Sequence, residues 1–408
     1  MTTISLCMIV RNEAVNLPGC LASVADLMDE VVILDTGSTD DTTAIAAEAG
    51  ARIYSHVWQD DFAAARNAAL AKVTQDWVLV LDADETLTPA GRQLIQSLRQ
   101  SSIIQGHDLN RLLVITLLRH EIGAKQSPYT QVSRLFRHHP ALQFTRPYHE
   151  TIDDSAEALM AQHSQWQVAQ LATVAINHTG YQADPIAVQA KFERAQRCLE
   201  RQLTAHPDDT YTANKLGALY GQQGDWLKGV QLLQQALANA PEPPDAITRS
   251  ELHYHLGLGY RQLGQFEAAS EHYQRSFALP IPDLLKLEAH INLGSLLKGQ
   301  NDLTAALEQF QTAAQIDPNS AIAHYNLGVT YRALGQLPAA VAAYETAIAC
   351  DPTYADAHLN LGSALFKLGR LSASKAAFEQ AIQLYQQTEP AAAQRLRQKL
   401  QGLGLRLD

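Results

Sequence analysis

The sequence predicts an α/β domain followed by an all-α array of helical repeats, and three observations carry that prediction. Short apolar runs alternate with amphipathic stretches from Ile4 to about Tyr181. From Lys215 onward a Leu-Gly theme returns five times at nearly even spacing. No Gly/Ser/Pro-rich run parts the two regimes, so the junction is expected to be a packed helix.

In the first regime, "ISLCMIV" reads as a buried strand, residues 17–27 as a helix and "EVVILD" as a second strand. Residues 40–49 form a helical pattern, "ARIYSHV" a third strand, and a helix over 62–71 leads into "WVLVLDAD". "LLVITLL" and "TQVSRLFR" add later strands. Strands alternating with helices indicate a largely parallel sheet. The domain is expected to span residues 1–181. Residues 182–209 then form a connecting helix, with Phe192, Leu199 and Leu203 among its apolar positions.

In the second regime the Leu-Gly glycines are Gly217, Gly257, Gly294, Gly328 and Gly362, separated by 40, 37, 34 and 34 residues. Small residues, an aromatic and a proline follow at fixed offsets: Ala306, Phe310, Ala313 and Pro318, then Ala340, Tyr344, Ala347 and Pro352. This is the tetratricopeptide pattern, in which each helix pair is too small to bury its own apolar face and stacks on its neighbours. Five repeats are expected over 210–388 and a capping helix over 389–408. "GLGYRQLG" at Gly257 mimics a dinucleotide loop, but no strand precedes it, so it belongs to the repeat. The longer steps around Glu242-Pro243-Pro244 and Pro280-Ile281-Pro282 are expected to be loops.

Composition excludes some functions. With 31 basic against 42 acidic residues and a net charge of -11, the chain is not expected to bind nucleic acid or anionic membranes. Cys7, Cys20, Cys198 and Cys350 show no pairing motif, which fits reduced thiols and a cytoplasmic location. "ISLCMIV" lacks a basic leader, and no segment reaches about 18 uninterrupted apolar residues, so neither a signal peptide nor a transmembrane segment is expected.

The chemistry gathers at strand ends. In open α/β sheets ligands collect beyond the carboxyl ends of the strands. Asp35 ends "EVVILD", and Asp82 and Asp84 follow "WVLVL". The Asp-Ala-Asp spacing allows one carboxylate to meet a sugar hydroxyl and the other a hard divalent cation. A solvated turn explains the same spacing, and the spacing alone favours it.

The wider context resembles a known family. "SLCMIVRNEAVNLPGCLASV", "DEVVILDTGSTDDTTAIAAEAGARIYSHVWQDDFAAARNAAL" and "DWVLVLDADET", in that order, are similar to family 2 glycosyltransferases of the GT-A fold. They are most similar to the soluble bacterial branch with peptide S-glycosyltransferases and lipopolysaccharide-core glucosyltransferases. The resemblance covers about the first 180 residues. It implies a Rossmann-like nucleotide-sugar-binding domain that transfers a sugar with inversion, usually from a uridine diphosphate donor, using Mn2+ or Mg2+. By the same resemblance, Asp35 contacts uracil or ribose, Asp82 and Asp84 are the DxD pair with Asp84 the metal ligand, and Arg66 and Asn67 lie beside the nucleotide. A guanidinium also suits a diphosphate on its own chemistry. Glu150 in "RPYHETI" resembles the family's general base, and His178 in "AINHTGY" a further metal ligand. Asp40 and Asp41 are instead expected to cap a helix. The QxxRW element of processive synthases is absent, so transfer of one or few sugars is expected.

Asn292, Asn326 and Asn360 share one slot, two residues before each Leu-Gly glycine. An asparagine ladder there resembles that of protein O-GlcNAc transferases, where it holds an extended peptide, although asparagine is also the common repeat residue at this slot. Two functions therefore stand: a glycosyltransferase whose repeats recruit a protein or peptide, and an inactive nucleotide-sugar-binding scaffold. Within the first, a lipid-linked or saccharide acceptor is the alternative.

Overall fold

Strand parity builds the first core. The computed structural model describes residues 2–124, 127–180, 185–239, 245–402 and 405. Tyr181 of the "NHTGY" element and the loop at 242–244 lie outside them. The chain divides into two units, Met1–Gln223 with Ala238–Ala240, and Gly224–Leu237 with Pro241–Asp408.

In the first unit the elements run β1 (Ile4–Val10), α1 (Leu17–Val24), β2 (Glu30–Asp35), α2 (Thr42–Glu48), β3 (Arg52–Ser55), α3 (Phe62–Leu70), β4 (Trp77–Val80), β5 (Glu85–Leu87) and α4 (Pro89–Gln100). They continue with β6 (Ile103–Ile104), β7 (His107–Asp108), β8 (Leu112–Glu121), β9 (Tyr129–Arg137), α5 (Asp153–Gln162), β10 (Gln167–His178), α6 (Pro185–Ala205) and α7 (Thr210–Gln222). The main sheet has eight strands in the order β3-β2-β1-β4-β9-β8-β10-β5. The first four are parallel, β9 enters antiparallel between β4 and β8, and β5 closes the edge antiparallel to β10. The sheet is thus mixed, less parallel than the alternation alone suggests.

Each central strand feeds both faces. Ile4, Leu6 and Met8 of β1, and Trp77 and Leu79 of β4, pack with α1, α2 and α4. Cys7, Val78 and Val80 point the other way, onto Ala63, Ala65 and Ala69 of α3 and onto α5. A strand's side chains alternate between faces, and strands buried on both faces read as unbroken apolar runs. The helix starts are fixed locally: Asp61 accepts from the Ala64 amide at 2.9 Å, and Thr88 from Gly91 at 3.0 Å. Asp41 sits at the N-cap of α2 but makes no capping bond; Asp40 accepts from the Thr42 amide at 3.1 Å instead.

The helices after α7 are α8 (Trp226–Asn239), α9 (Ala246–Gln262), α10 (Phe266–Phe277), α11 (Leu287–Gly299), α12 (Leu303–Ile316), α13 (Ala321–Ala333), α14 (Leu337–Cys350), α15 (Ala355–Lys367), α16 (Leu371–Thr388) and α17 (Pro390–Gly402). In the second unit the Leu-Gly glycines let an aromatic of the paired helix approach. A Cβ on Gly257, Gly294, Gly328 or Gly362 would meet the ring of Tyr273, Phe310, Tyr344 or Phe378 within 2.7 Å. The turn inside each pair is held by a left-handed residue, Gly264, Gly335 or Gly369, and in the third repeat Asn301 takes that place with φ 66°. Ala393, Leu396 and Leu400 of α17 cover Phe378, Ile382 and Tyr385, closing the last repeat. No described helix is long and apolar enough to cross a membrane.

Candidate functional site

Parity also assembles the site. Continuing β4 past Val80 puts Asp82 on the α3 face, and β9 register places Arg134 beside it on that face, since the neighbouring Phe136 packs there. Arg66 rises from α3, 1% exposed. Its Nη2 donates to Asp82 Oδ1 and its Nε to Glu150 Oε1 at 3.1 Å. Arg134 Nη2 donates to Asp82 Oδ2 at 3.0 Å. Burial alone drives the Asp82 pKa up, but the two guanidiniums prevail and hold it well below the usual carboxylate range. Burial opposes the charge of Arg66 and Arg134 as well, and their carboxylate neighbours outweigh it. Each arginine keeps one buried nitrogen, Nη1, without a hydrogen-bond partner among the described residues.

Glu150 lies in the loop bridged by Thr145 and Thr151, a segment with left-handed Arg146 (φ 69°) and His149 (φ 56°). Asn67 holds this segment: its Nδ2 donates to the Phe144 carbonyl at 2.9 Å and its Oδ1 accepts from the Phe144 amide at 2.8 Å. Both ends of the amide are engaged there, so Asn67 clamps the Glu150 loop. Asp35 is buried at the end of β2, and its carboxylate accepts from the Gly37 and Ser38 amides at 3.1 Å, shaping the turn that follows.

Asp84 and His178 meet across the sheet, because β5 runs antiparallel to β10 and pairs Glu85 with His178. Asp84 Oδ2 lies 3.1 Å from His178 Nε2, and Glu121 Oε2 lies 2.5 Å from His178 Nδ1. Burial pulls the His178 pKa down, but the hydrogen bonds to Asp84 and Glu121 outweigh it and push it up to about 9. A Cβ on Gly180 would fall 2.6 Å from both Asp84 Oδ2 and His178 Nε2. Only glycine leaves that space open. No group of three or more His, Cys, Asp or Glu side chains suited to a metal occurs among the described residues. Mg2+ is commonly held by one or two carboxylates with substrate phosphates and water completing the shell, so the Asp84 carboxylate beside the His178 imidazole is a candidate for a divalent ion.

Sequence reasoning left out Glu85, Arg119, Glu121 and Arg134. Glu85 is fully buried; it accepts from the Asp82 amide at 2.8 Å and from Arg119 Nη1 at 2.6 Å. The signal was present in part: "LLRHE" ends an apolar strand in charges and "VSRLF" sets a charge beside buried Leu135 and Phe136, and charges at such places need partners.

In the second unit the three asparagines are hydrogen-bonded within the repeats. Asn292 and Asn326 are buried, and their Nδ2 groups donate to the carbonyls of Glu288 and Ile322, both at 2.9 Å. Arg261 and Lys298 donate to their Oδ1 atoms, both at 3.0 Å. Asn360 Nδ2 donates to the Asp356 carbonyl and to Tyr325 Oη, both at 3.0 Å. Through these bonds the amides tie α9 to α11, α11 to α13 and α13 to α15.

Residues 5–158 match the family model described as glycosyl transferase family 2. Tetratricopeptide models match 208–281, 294–333, 330–369 and 355–388. A TPR repeat-containing protein of Synechococcus elongatus is 44% identical over 320 residues, covering 78% of this chain and 76% of that protein. An uncharacterized glycosyltransferase of Rickettsia felis is 27% identical over 48% of this chain and 69% of its own length. The SPbeta prophage-derived glycosyltransferase SunS of Bacillus subtilis is 25% identical, over 51% of this chain and 46% of its own. The crystal structure of MamA protein matches 43% of this chain and 92% of its own at 23% identity and a TM-score of 0.37. The chain belongs to the glycosyl transferase family 2 proteins that carry C-terminal tetratricopeptide repeats, and it is a glycosyltransferase.

Proposed function

We propose that the first unit transfers a sugar with inversion from a nucleoside diphosphate sugar, UDP-sugar favoured, to a protein or peptide recruited by the repeats. Asp84 and His178 would hold Mn2+ or Mg2+. The observation that supports this best is the Asp84–His178 pair, 3.1 Å apart at the carboxyl edge of the sheet, with Gly180 keeping its approach open. When bound there, such an ion would neutralise charge on the departing diphosphate. The unpartnered Nη1 groups of Arg66 and Arg134 are suited to the same oxyanions.

Arg66 orients Glu150 through Oε1 at 3.1 Å, and Oε2 is the oxygen assigned to the acceptor proton. As the acceptor atom bonds to the anomeric carbon, the carbon–oxygen bond to the diphosphate breaks on the opposite face. The bonding pair leaves with the diphosphate, and the acceptor proton passes to Glu150. Asp82 aligns the two arginines and meets donor hydroxyls with its remaining lone pairs. Asp35 borders the nucleoside pocket. A cytoplasmic location accords with the four free cysteines.

The test incubates the protein with Mn2+ and a panel of nucleotide sugars, measuring donor hydrolysis and labelling of lysate proteins. One donor is expected to turn over, and Asp84→Ala is expected to reduce that by about 100-fold or more, as for loss of a principal electrostatic group. Undiminished turnover in Asp84→Ala removes the metal assignment. No turnover or binding of any donor removes the donor assignment, and labelling confined to lipid or glycan overturns the protein acceptor.

A further inference from the structure

We propose that Glu121 is a positioning residue that acts through His178, fixing the ring so that Nε2 faces Asp84, and that Arg119 ties this support to the backbone of the DxD loop. This rests on the proposed metal pair. Glu121 is 1% exposed, at the end of β8. Its Oε1 is occupied by Arg119 Nε at 2.8 Å and Thr130 Oγ1 at 2.5 Å, which leaves Oε2 for His178 Nδ1. Arg119 reaches the other way, through Nη1, to Glu85 Oε1, and Glu85 Oε2 accepts from the Asp82 amide. One continuous chain therefore runs from the Asp82 amide through Glu85, Arg119, Glu121 and His178 to Asp84.

Two fully buried carboxylates and a mostly buried guanidinium are costly to hold out of water. Each bond in the chain ends on a group that shapes the Asp84–His178 pair. A carboxylate on the far nitrogen of a ligating histidine sets its tautomer and orientation, and losing such a partner weakens metal binding by roughly 10–100-fold.

The experiment measures Mn2+ affinity of the full chain by calorimetry and by the electron paramagnetic resonance signal of free Mn2+, with no donor or acceptor present. It compares the parent, Glu121→Gln, His178→Ala and the double variant. Glu121→Gln is expected to weaken Mn2+ binding by about 10–100-fold in the parent and to have no effect in the His178→Ala background, because a residue acting through another is non-additive with it. Additive losses overturn the proposal, as does unchanged affinity in Glu121→Gln when His178→Ala is impaired; both leave the metal pair intact. Unchanged affinity in His178→Ala instead overturns the metal pair itself. If Glu121→Gln is too unstable to titrate, Thr130→Val removes the hydroxyl that donates to Glu121 Oε1 and accepts from Arg119 Nε at 3.3 Å, leaving the carboxylate in place. It is expected to weaken Mn2+ binding several-fold, again only when His178 is present.

Discussion

Gly180→Ala probes the proposed metal pair, Asp84 and His178, with one methyl group. The added Cβ would lie 2.6 Å from both Asp84 Oδ2 and His178 Nε2, where ordinary contact begins at 3.4 Å. The two groups must therefore yield by about 0.8 Å in all or in part, whereas protein–metal distances hold to about 0.2 Å. The pair then no longer fits one ion, and Mn2+ affinity is expected to fall at least about tenfold, or about 1.4 kcal/mol. Residue 180 follows the last strand of the sheet and is half-buried, so the thermal midpoint is expected to stay within about 2 °C, the scale of a few tenths of a kcal/mol. Calorimetric Mn2+ titration beside a melting curve reads both quantities. Parent-like Mn2+ affinity in a folded variant would refute the placement of the ion between these two side chains.

Gly328→Ala drives a Cβ to 2.5 Å from Tyr344, which is fully buried, so overpacking of about 2–3 kcal/mol outweighs the helix-propensity gain of about 1 kcal/mol. Urea unfolding should show a net loss of about 1–2 kcal/mol, while Gly299→Ala, with no atom within 4 Å, should lose nothing. Arg66→Met removes the hydrogen-bonded cation from Glu150 and from one oxygen of Asp82 and should cost roughly 3 kcal/mol, read by the same denaturation. His253 and His272 face each other at 3.0 Å between their Nδ1 atoms, and burial with the neighbouring cationic groups lowers the His253 pKa to about 4. A histidine with a depressed folded pKa contributes stability that is complete above its unfolded value near 6.5 and is lost as the pH falls toward 4. The repeats should thus loosen between pH 6.5 and 4 in pH-dependent unfolding, and His253→Gln should flatten that slope.

The fold was legible where its signal is local. The runs at 4–10, 30–35 and 77–80 announced β1, β2 and β4, because a strand buried on both faces must be apolar throughout. The even repeat spacing announced the helix pairs, because each pair needs the same contacts as its neighbour. The same local logic placed Asp35, Asp82 and Asp84 at strand ends. It did not reveal that Asp82 is clamped by two arginines, that Asn67 bonds Phe144, or that Asn292 and Asn326 bond both their own helix and a cation of another. An isolated residue type does not say which partner reaches it first.

By itself, then, the sequence determined the two architectures, the strand-end acids and the family. Tertiary structure decided how those acids differ. The antiparallel entry of β9 puts Arg134 against Asp82, and the edge pairing of β5 with β10 brings Asp84 to His178, 94 residues away. Strand order here is not sequence order, and side-chain periodicity records which face a residue takes but not which strand lies next to it. For that reason Glu85, which had no role in the sequence, proves to be the buried link between the Asp82–Asp84 loop and the carboxylate behind His178.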